Sequence, residues 1–522
     1  MNRDEMLARI TRQQQPWDIA IIGGGATGAG IAVDAASRGY STVLLEQSDF
    51  GKGTSSRSTK LLHGGVRYLK QGNISLVREG LRERALLRQN APHLVTSLPL
   101  IIPAYAWWER PWYGAGLKLY DLLAGRSDFG RSRVLSRAAT RQMLPTLRTE
   151  GLRGGVLYHD GQFDDSRLLI HLAWTAAEHD AALLNYTRVS GISKTPAGRI
   201  DGVVVQDLES GRELRLAARV VVNATGPFAD AVRRLSTPGL ETMVAPSQGT
   251  HIVLPREFLP GDTAIMVPRV GDGRVMFAIP WRGHTLIGTT DTPIPESSLE
   301  PRALEPEIDF LLETTGRYLQ KIPRRADVLS VFTGIRPLVS AKQTRVTAAL
   351  SRDHTIHVDP SGLVTITGGK WTTYRQMAEE TVDRSAAVGH LPAKPCVTRS
   401  LRLHGYDADA ARHGALRGYG ADAPTIVALA AGAPGLGRAL HRDLTITAAE
   451  VIWAARHEMA RTVEDVLARR ARALFLNARA AVEIAPRVAG LVARELGHDS
   501  AWEGSQVSAF TALAQPYLPN PI

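Results

Sequence analysis

The sequence has one cysteine, Cys396, in 522 residues. An intramolecular disulfide, a cysteine-rich zinc site and a Cys-x-x-Cys redox pair are therefore excluded, and the composition suits a reducing cytoplasm. It also lacks an uninterrupted apolar run long enough to span a bilayer, so any membrane contact is expected to be peripheral. Met1–Gln15 is charged and polar with no apolar core, so a secretory signal is not expected. His457-Glu458 opens like a zinc-protease motif, but Arg461 stands where the second histidine belongs, and no metal site is expected. Internal repeats and low-complexity tracts are missing too. What remains is a chain of ordinary globular composition, long enough for two to four domains, with a net charge of +11 and a pI near 9.9. Such a surplus fits nucleic acid, an anionic membrane surface or an anionic substrate, and charge alone does not choose among them.

The N-terminal region is more specific. Asp18–Ile22 reads as a short buried strand, followed by Gly23, Gly25 and Gly28 in a G-x-G-x-x-G pattern. Ala29–Arg38 is helix-competent and ends at Gly39, and a second strand, Thr42–Leu45, runs into Glu46. Gly23 allows the tight turn, Gly25 admits a pyrophosphate, and Gly28 lets helix and strand pack closely. The helix N-terminus offers free N–H groups to phosphate, and Glu46 is spaced to bind a ribose hydroxyl, which disfavours a 2′-phosphate and so NADP.

This fingerprint does not separate FAD from NAD. Two later segments favour FAD. Val220–Gly226, ending in Ala224-Thr225-Gly226, resembles the second nucleotide-binding stretch of FAD-binding oxidoreductases. Leu363–Lys370, ending in Gly368-Gly369-Lys370, resembles the late glycine pair that approaches the flavin in glucose/amine-oxidase-like flavoproteins. Three returns to one site imply a discontinuous domain with other material inserted.

Thr54-Ser55-Ser56-Arg57-Ser58-Thr59-Lys60-Leu61-Leu62-His63-Gly64-Gly65-Val66-Arg67-Tyr68-Leu69 closely resembles the signature of FAD-dependent glycerol-3-phosphate dehydrogenases. The resemblance continues through Asp34–Gly39, Gly334–Leu338, Ser351–His354, Gly368–Arg375 and Trp453–Thr462, and so covers nearly the whole chain. Trp371 departs from it, since bacterial members often carry leucine there. The resemblance implies oxidation of sn-glycerol 3-phosphate to dihydroxyacetone phosphate by hydride transfer from C2 to FAD, with electrons passed to a quinone. It makes Arg336 and Arg352 the leading phosphate ligands, lines the same pocket with Arg67 and Tyr68, and sets Lys370 beside the flavin and the reacting carbon. Thr54, Ser55, Ser58, Lys60 and Thr372 join the glycines, Ala224 and Glu46 as expected cofactor contacts. A phosphomonoester dianion independently calls for several cations, arginine above all for its planar fork. Removal of the C2 hydroxyl proton calls for a base near neutral pKa. His251 is the favoured candidate, with His63 orienting flavin or substrate.

The expected fold is α/β, with a Rossmann-like FAD-binding domain from residues 16–75, 151–245 and 331–376. A mixed-sheet substrate domain is expected from 76–150 and 246–330, and a helical cap from 377–522. Thr447–Glu450 and Thr462–Asp465 read as capping boxes at helix starts. Tyr105–Tyr113, with Trp107, Trp108 and Trp112 and nearby Lys118 and Tyr120, suits either a membrane interface or internal packing. Peripheral attachment to the inner face of the cell membrane would serve transfer to a quinone, and a homodimer stays open. Competing readings are an oxidase using O2 and an amino-acid oxidase of the same superfamily. A tRNA-modifying flavoprotein would want catalytic cysteines or a basic module, so no nucleic-acid partner is expected.

Overall fold

The apolar run near the N-terminus sits at the centre of a sheet. In the computed structural model, which describes residues 1–65, 73–125, 129–268, 275–339 and 354–519, Trp17–Ile22 pairs in parallel with Thr42–Leu45 on one side and Glu213–Asn223 on the other. Its side chains are buried on both faces, which is why it reads as a continuous hydrophobic run and not as an alternation. The sheet runs His354–Val358, Val364–Gly368, Glu213–Asn223, Trp17–Ile22, Thr42–Leu45, Ala182–Leu184. A hairpin of Thr187–Lys194 and Ile200–Asp207 extends Glu213–Asn223. The helix Ala26–Ser37 lies over this sheet and is covered in turn by Tyr374–Val388. Their approach is close at Gly30, where a Cβ would stand 2.8 Å from the Tyr374 ring.

A second, mixed sheet follows the order Thr292–Pro293, Val244–Pro255, His284–Gly288, Met276–Trp281, Ala264–Val267, Val95–Ala104, Gly154–Phe163, Leu61–Leu62. Ser330–Val339 and Arg133–Ser136 pair onto Val244–Pro255 and Gly154–Phe163. The chain crosses between the sheets more often than the sequence boundaries allow. Gly154–Phe163 and Ser330–Val339 belong to this second sheet, although segments 151–245 and 331–376 were expected to build the first. Gly154–Phe163 pairs along its whole length with Val95–Ala104, and Ser330–Val339 with Val244–Val253. A buried strand pattern says that a segment is a strand, not which sheet takes it.

The C-terminal helices Ala448–His457, Ala478–Leu496 and Ser500–Ala514 share one hydrophobic cluster with the second sheet, from Leu100 and Phe332 to Ile484 and Phe510. Both capping boxes form. Glu450 N–H donates to Thr447 Oγ1 at 3.3 Å and Thr447 N–H to Glu450 Oε2 at 2.9 Å. Thr462 and Asp465 exchange the same pair of bonds, each 3.1 Å. Glu458 is buried against the Arg167 guanidinium and the Trp453 indole N–H.

Ion pairs fasten this region to the first sheet. Asp49, just beyond Thr42–Leu45, accepts from both Arg469 and Arg470, all three side chains being buried. Burial alone would raise the Asp49 carboxyl, but Arg470 and Arg469 hold it below the usual carboxylate range. Asp49→Asn leaves two guanidinium groups short of their shared anion in the interior. It should cost about 3–5 kcal/mol in chemical denaturation, whereas Glu313→Gln, in the exposed pair with Arg317, should cost under about 1 kcal/mol.

Candidate functional site

A cavity of about 660 Å³ runs between the two sheets and is lined by residues from the glycine turn, the signature loop, Ala224–Gly226, Gly334–Leu338 and Gly368–Thr372. Its first part is glycine backbone. Gly23 has φ +108°, and a Cβ there would meet the Ala224 carbonyl at 2.8 Å. A Cβ on Gly28 would fall 1.9 Å from the Gly23 carbonyl oxygen, so Gly28 does not line the cavity but lets the helix close on the turn. Gly25 begins that helix without a side-chain cap, and Ser55 Oγ accepts the Ala26 N–H at 2.9 Å. The signature loop is thus seated on the helix N-terminus. Trp371 helps to hold it there, donating its indole N–H to the Ser55 carbonyl at 2.9 Å with its ring against the edge of Phe163.

Glu46 closes the second strand as expected. Its carboxylate accepts Gly24 N–H at 2.7 Å and Ser48 N–H at 2.8 Å, and burial pushes its pKa up against those bonds. Thr54, Ser55, Ser58, Ala224, Gly226, Gly368, Gly369, Lys370 and Thr372 all line the cavity, as Glu46 does.

Lys60 does not. The signature loop turns through a left-handed residue there, φ +63°, and sends the side chain inward. Its ammonium donates to the Ser56 carbonyl at 2.9 Å and to Asp165 Oδ2 at 2.6 Å, among the rings of Trp281, Phe332 and Phe475. Burial lowers its pKa to about 7 although Asp165 raises it. Lys60 therefore braces the loop from behind and is not a cofactor contact.

A second group of lining residues is polar. Arg336 lies within the strand Ser330–Val339. Its guanidinium donates to Asp291 at 3.1 Å, the Gln248 carbonyl at 3.3 Å, Thr289 Oγ1 at 3.2 Å and the Thr290 carbonyl at 3.0 Å. His251, on the neighbouring strand, is buried, with Nε2 2.9 Å from Thr59 Oγ1. Burial first, then the Lys60 and Arg336 cations, hold its pKa well below the usual histidine value, so it is neutral at pH 7. His63 also lines the cavity, its peptide N–H donating to Thr372 Oγ1 at 3.3 Å. Arg67, Tyr68 and Arg352 lie outside the described residues.

Sequence reasoning passed over Thr59 and Arg57, both of which line the cavity. Arg57 is buried, ion-paired to Glu300 at 2.8 Å and set against Phe475 and Tyr517. The resemblance assigned neither residue a role.

The sequence matches the FAD dependent oxidoreductase family over residues 18–375, and the C-terminal domain of alpha-glycerophosphate oxidase over residues 363–503. It is 42% identical to the mitochondrial glycerol-3-phosphate dehydrogenase SDP6 of Arabidopsis thaliana, over 96% of this chain and 86% of that one. A probable mitochondrial glycerol-3-phosphate dehydrogenase of Caenorhabditis elegans is 40% identical, over 97% and 74%. The chain belongs to the FAD-dependent glycerol-3-phosphate dehydrogenase family. Among solved structures, the glycerol-3-phosphate dehydrogenase of Bacillus halodurans complexed with FAD superposes with a TM-score of 0.80 at 28% identity, covering 100% of this chain and 98% of that one.

The site fits the family's cofactor on its own terms. The glycine turn leaves backbone exposed where a Cβ would intrude, the N-terminus of the helix Ala26–Ser37 opens on the cavity where a phosphate would be held, and Glu46 lines it where its carboxylate would meet a ribose. The cavity is also large enough to take a dinucleotide. Gly28→Val places a branched side chain on the Gly23 carbonyl. The purified variant should carry less than about a tenth of the flavin per chain of the parent, read as the ratio of flavin to protein absorbance.

Proposed function

We propose that this chain oxidises sn-glycerol 3-phosphate to dihydroxyacetone phosphate and passes the electrons to a quinone at a membrane surface. The observation that carries the substrate reading is the gathering of Arg336, Lys370, His63 and His251 on one cavity beside the Gly368-Gly369 turn. FAD, when bound, supplies the hydride acceptor for C2. Arg336, fixed by Asp291, Thr289 and two carbonyls, brings a positive charge to the cavity for the phosphate, and Lys370 adds a second cation. His63, His251 and Thr59 line the same cavity, and the apolar walls, among them Met266 and Phe277, exclude water.

The membrane reading rests on the helix Glu109–Ala124 and the turn before it. Trp107, Trp112 and Leu122 are 75%, 63% and 76% exposed, beside exposed Trp108 and Leu119, and Lys118 lies on the same helix. No helix among the described residues is long and apolar enough to cross a bilayer. Apolar rings next to basic residues suit the headgroup layer of an anionic membrane, and so peripheral attachment at its inner face.

Anaerobic addition of sn-glycerol 3-phosphate should bleach the flavin band within seconds, and glycerol or glycine should not. A flavin that stays oxidised would overturn the substrate reading. Reoxidation by a quinone analogue much faster than by O2 identifies a dehydrogenase, and the reverse an oxidase. Arg336→Ala should weaken substrate binding by at least about 10-fold while flavin content is unchanged. Replacing Trp107, Trp112 and Leu122 together by alanine should abolish cosedimentation with anionic vesicles. Retained cosedimentation would place the membrane face elsewhere.

A further inference from the structure

His251 is held so tightly that its two nitrogens have fixed and different tasks. Its strand, Val244–Pro255, has a neighbour on each side, and His251 is in register with Phe332 on one and Gly288 on the other. The Phe332 ring lies nearly parallel to the imidazole, centroids 4.8 Å apart. On the opposite side, a Cβ on Gly288 would stand 2.1 Å from Cδ2 and 2.7 Å from Nε2 of His251. The ring therefore has no room to flip and exchange its nitrogens.

Nε2 meets Thr59 Oγ1, and both side chains line the cavity. Nδ1 is buried with no hydrogen-bond partner among the described residues. The charged groups acting on the ring are the Lys60 ammonium, from the signature loop, and the Arg336 guanidinium, from the strand carrying Phe332. The carboxylates nearest to those cations, Asp165 and Asp291, are bonded to them.

A neutral imidazole carries one proton. On Nδ1 it would be a buried donor without an acceptor, the rarer and costlier kind of unpaired group. On Nε2 it is donated to Thr59 Oγ1, and only a lone pair at Nδ1 goes unmatched. Imidazolium would combine an unmatched Nδ1–H with two facing cations. His251 is thus built to give a hydrogen bond and not to take a proton. Thr59, having accepted that bond, points its own hydroxyl hydrogen elsewhere, and the cavity is where an acceptor arrives.

Resting on the substrate reading above, we infer that His251 and Thr59 form a donor chain to the substrate. Nε2–H of His251 donates to Thr59 Oγ1, Thr59 O–H donates to the C2 oxygen, and the hydroxyl proton leaves to His63. The C2–H bond breaks with its electron pair and hydrogen going to FAD, the O–H proton goes to His63, and a C2=O double bond forms. Thr59 and His251 keep their protons throughout. The chain fixes the C2 oxygen so that the C2–H bond is presented in one direction, and each donor strengthens the next. This reverses the roles that sequence alone suggests for the two histidines.

The test is single-turnover flavin reduction by sn-glycerol 3-phosphate in the FAD-loaded protein, followed anaerobically from pH 5.5 to 9. Glutamine at position 251 offers an amide N–H and cannot titrate. His251→Gln should keep the acid limb of the rate profile at the parent's pH, with a rate within about 10-fold, whereas His63→Gln should lose that limb. Thr59→Val should lower the limiting rate by about 10²-fold with much less change in substrate affinity, the loss typical of one oriented donor. Thr59→Ser should restore the rate to within about 3-fold. Disappearance of the acid limb in His251→Gln would overturn the inference, as would a parent-like rate in Thr59→Val. Thr59→Val is isosteric and decides the matter even if the His251 variant fails to hold flavin. A parent protein that is not reduced by the substrate at any pH would instead bring down the substrate reading.

Discussion

The carboxylate of Asp165 is the point on which the site hangs. One oxygen takes the Ser58 N–H and Oγ–H and the Lys60 ammonium, at 3.0, 2.7 and 2.6 Å. The other takes the Ser166 N–H at 2.9 Å and the Arg472 guanidinium at 3.1 Å. Three parts of the chain, the signature loop, the helix Asp165–Glu178 and the C-terminal region, are bound through one group at a helix start, where negative charge is favoured. Because Lys60 is drawn down to Asp165, its neighbours Ser58 and Thr59 are presented to the cavity. The turn at Lys60 places a side chain in the left-handed region, and the hydrogen bonds of Ser58 and Lys60 to Asp165 hold the loop in it.

What could be read in the sequence was local in its physics. Gly23, Gly25, Gly28 and Glu46 act within one strand-turn-helix-strand unit, and spacing alone specifies their work. Ala224-Thr225-Gly226 and Gly368-Gly369 could be read for the same reason, as turns at strand ends. Lys60 could not, since a motif names a residue without saying which way it faces, and a left-handed backbone at that residue reverses the usual guess. Thr59 became visible only when Val244–Pro255 brought His251 across to it. The sheet membership of Gly154–Phe163 and Ser330–Val339 was equally hidden, being a matter of long-range pairing.

The basic composition has a less obvious reading in the structure. Arg84, Arg167, Arg469, Arg470 and Arg472 are buried, and each faces a carboxylate such as Asp160, Glu458, Asp49 or Asp165. Guanidinium is suited to such places because it stays charged on burial and forks to several acceptors. These five arginines therefore act as ties within the interior, four of them joining the C-terminal region to the rest of the chain. The surplus of positive charge that reaches the cavity and the surface is carried by other side chains.

The closing of the C-terminal region onto the first sheet also sets an order of assembly. Asp49 and Asp165 leave the ribosome long before Arg469, Arg470 and Arg472, the cations that neutralise them inside the folded protein. Until then the signature loop has Lys60 but not the arginine beneath it, and the strand ending beside Glu46 is followed by an unmatched anion. The nucleotide-binding unit is thus first in the sequence, yet the charges that match its anions come from residues 469–472. A chain interrupted before residue 469 would hold every motif of the cofactor site and lack the charges that set it in place.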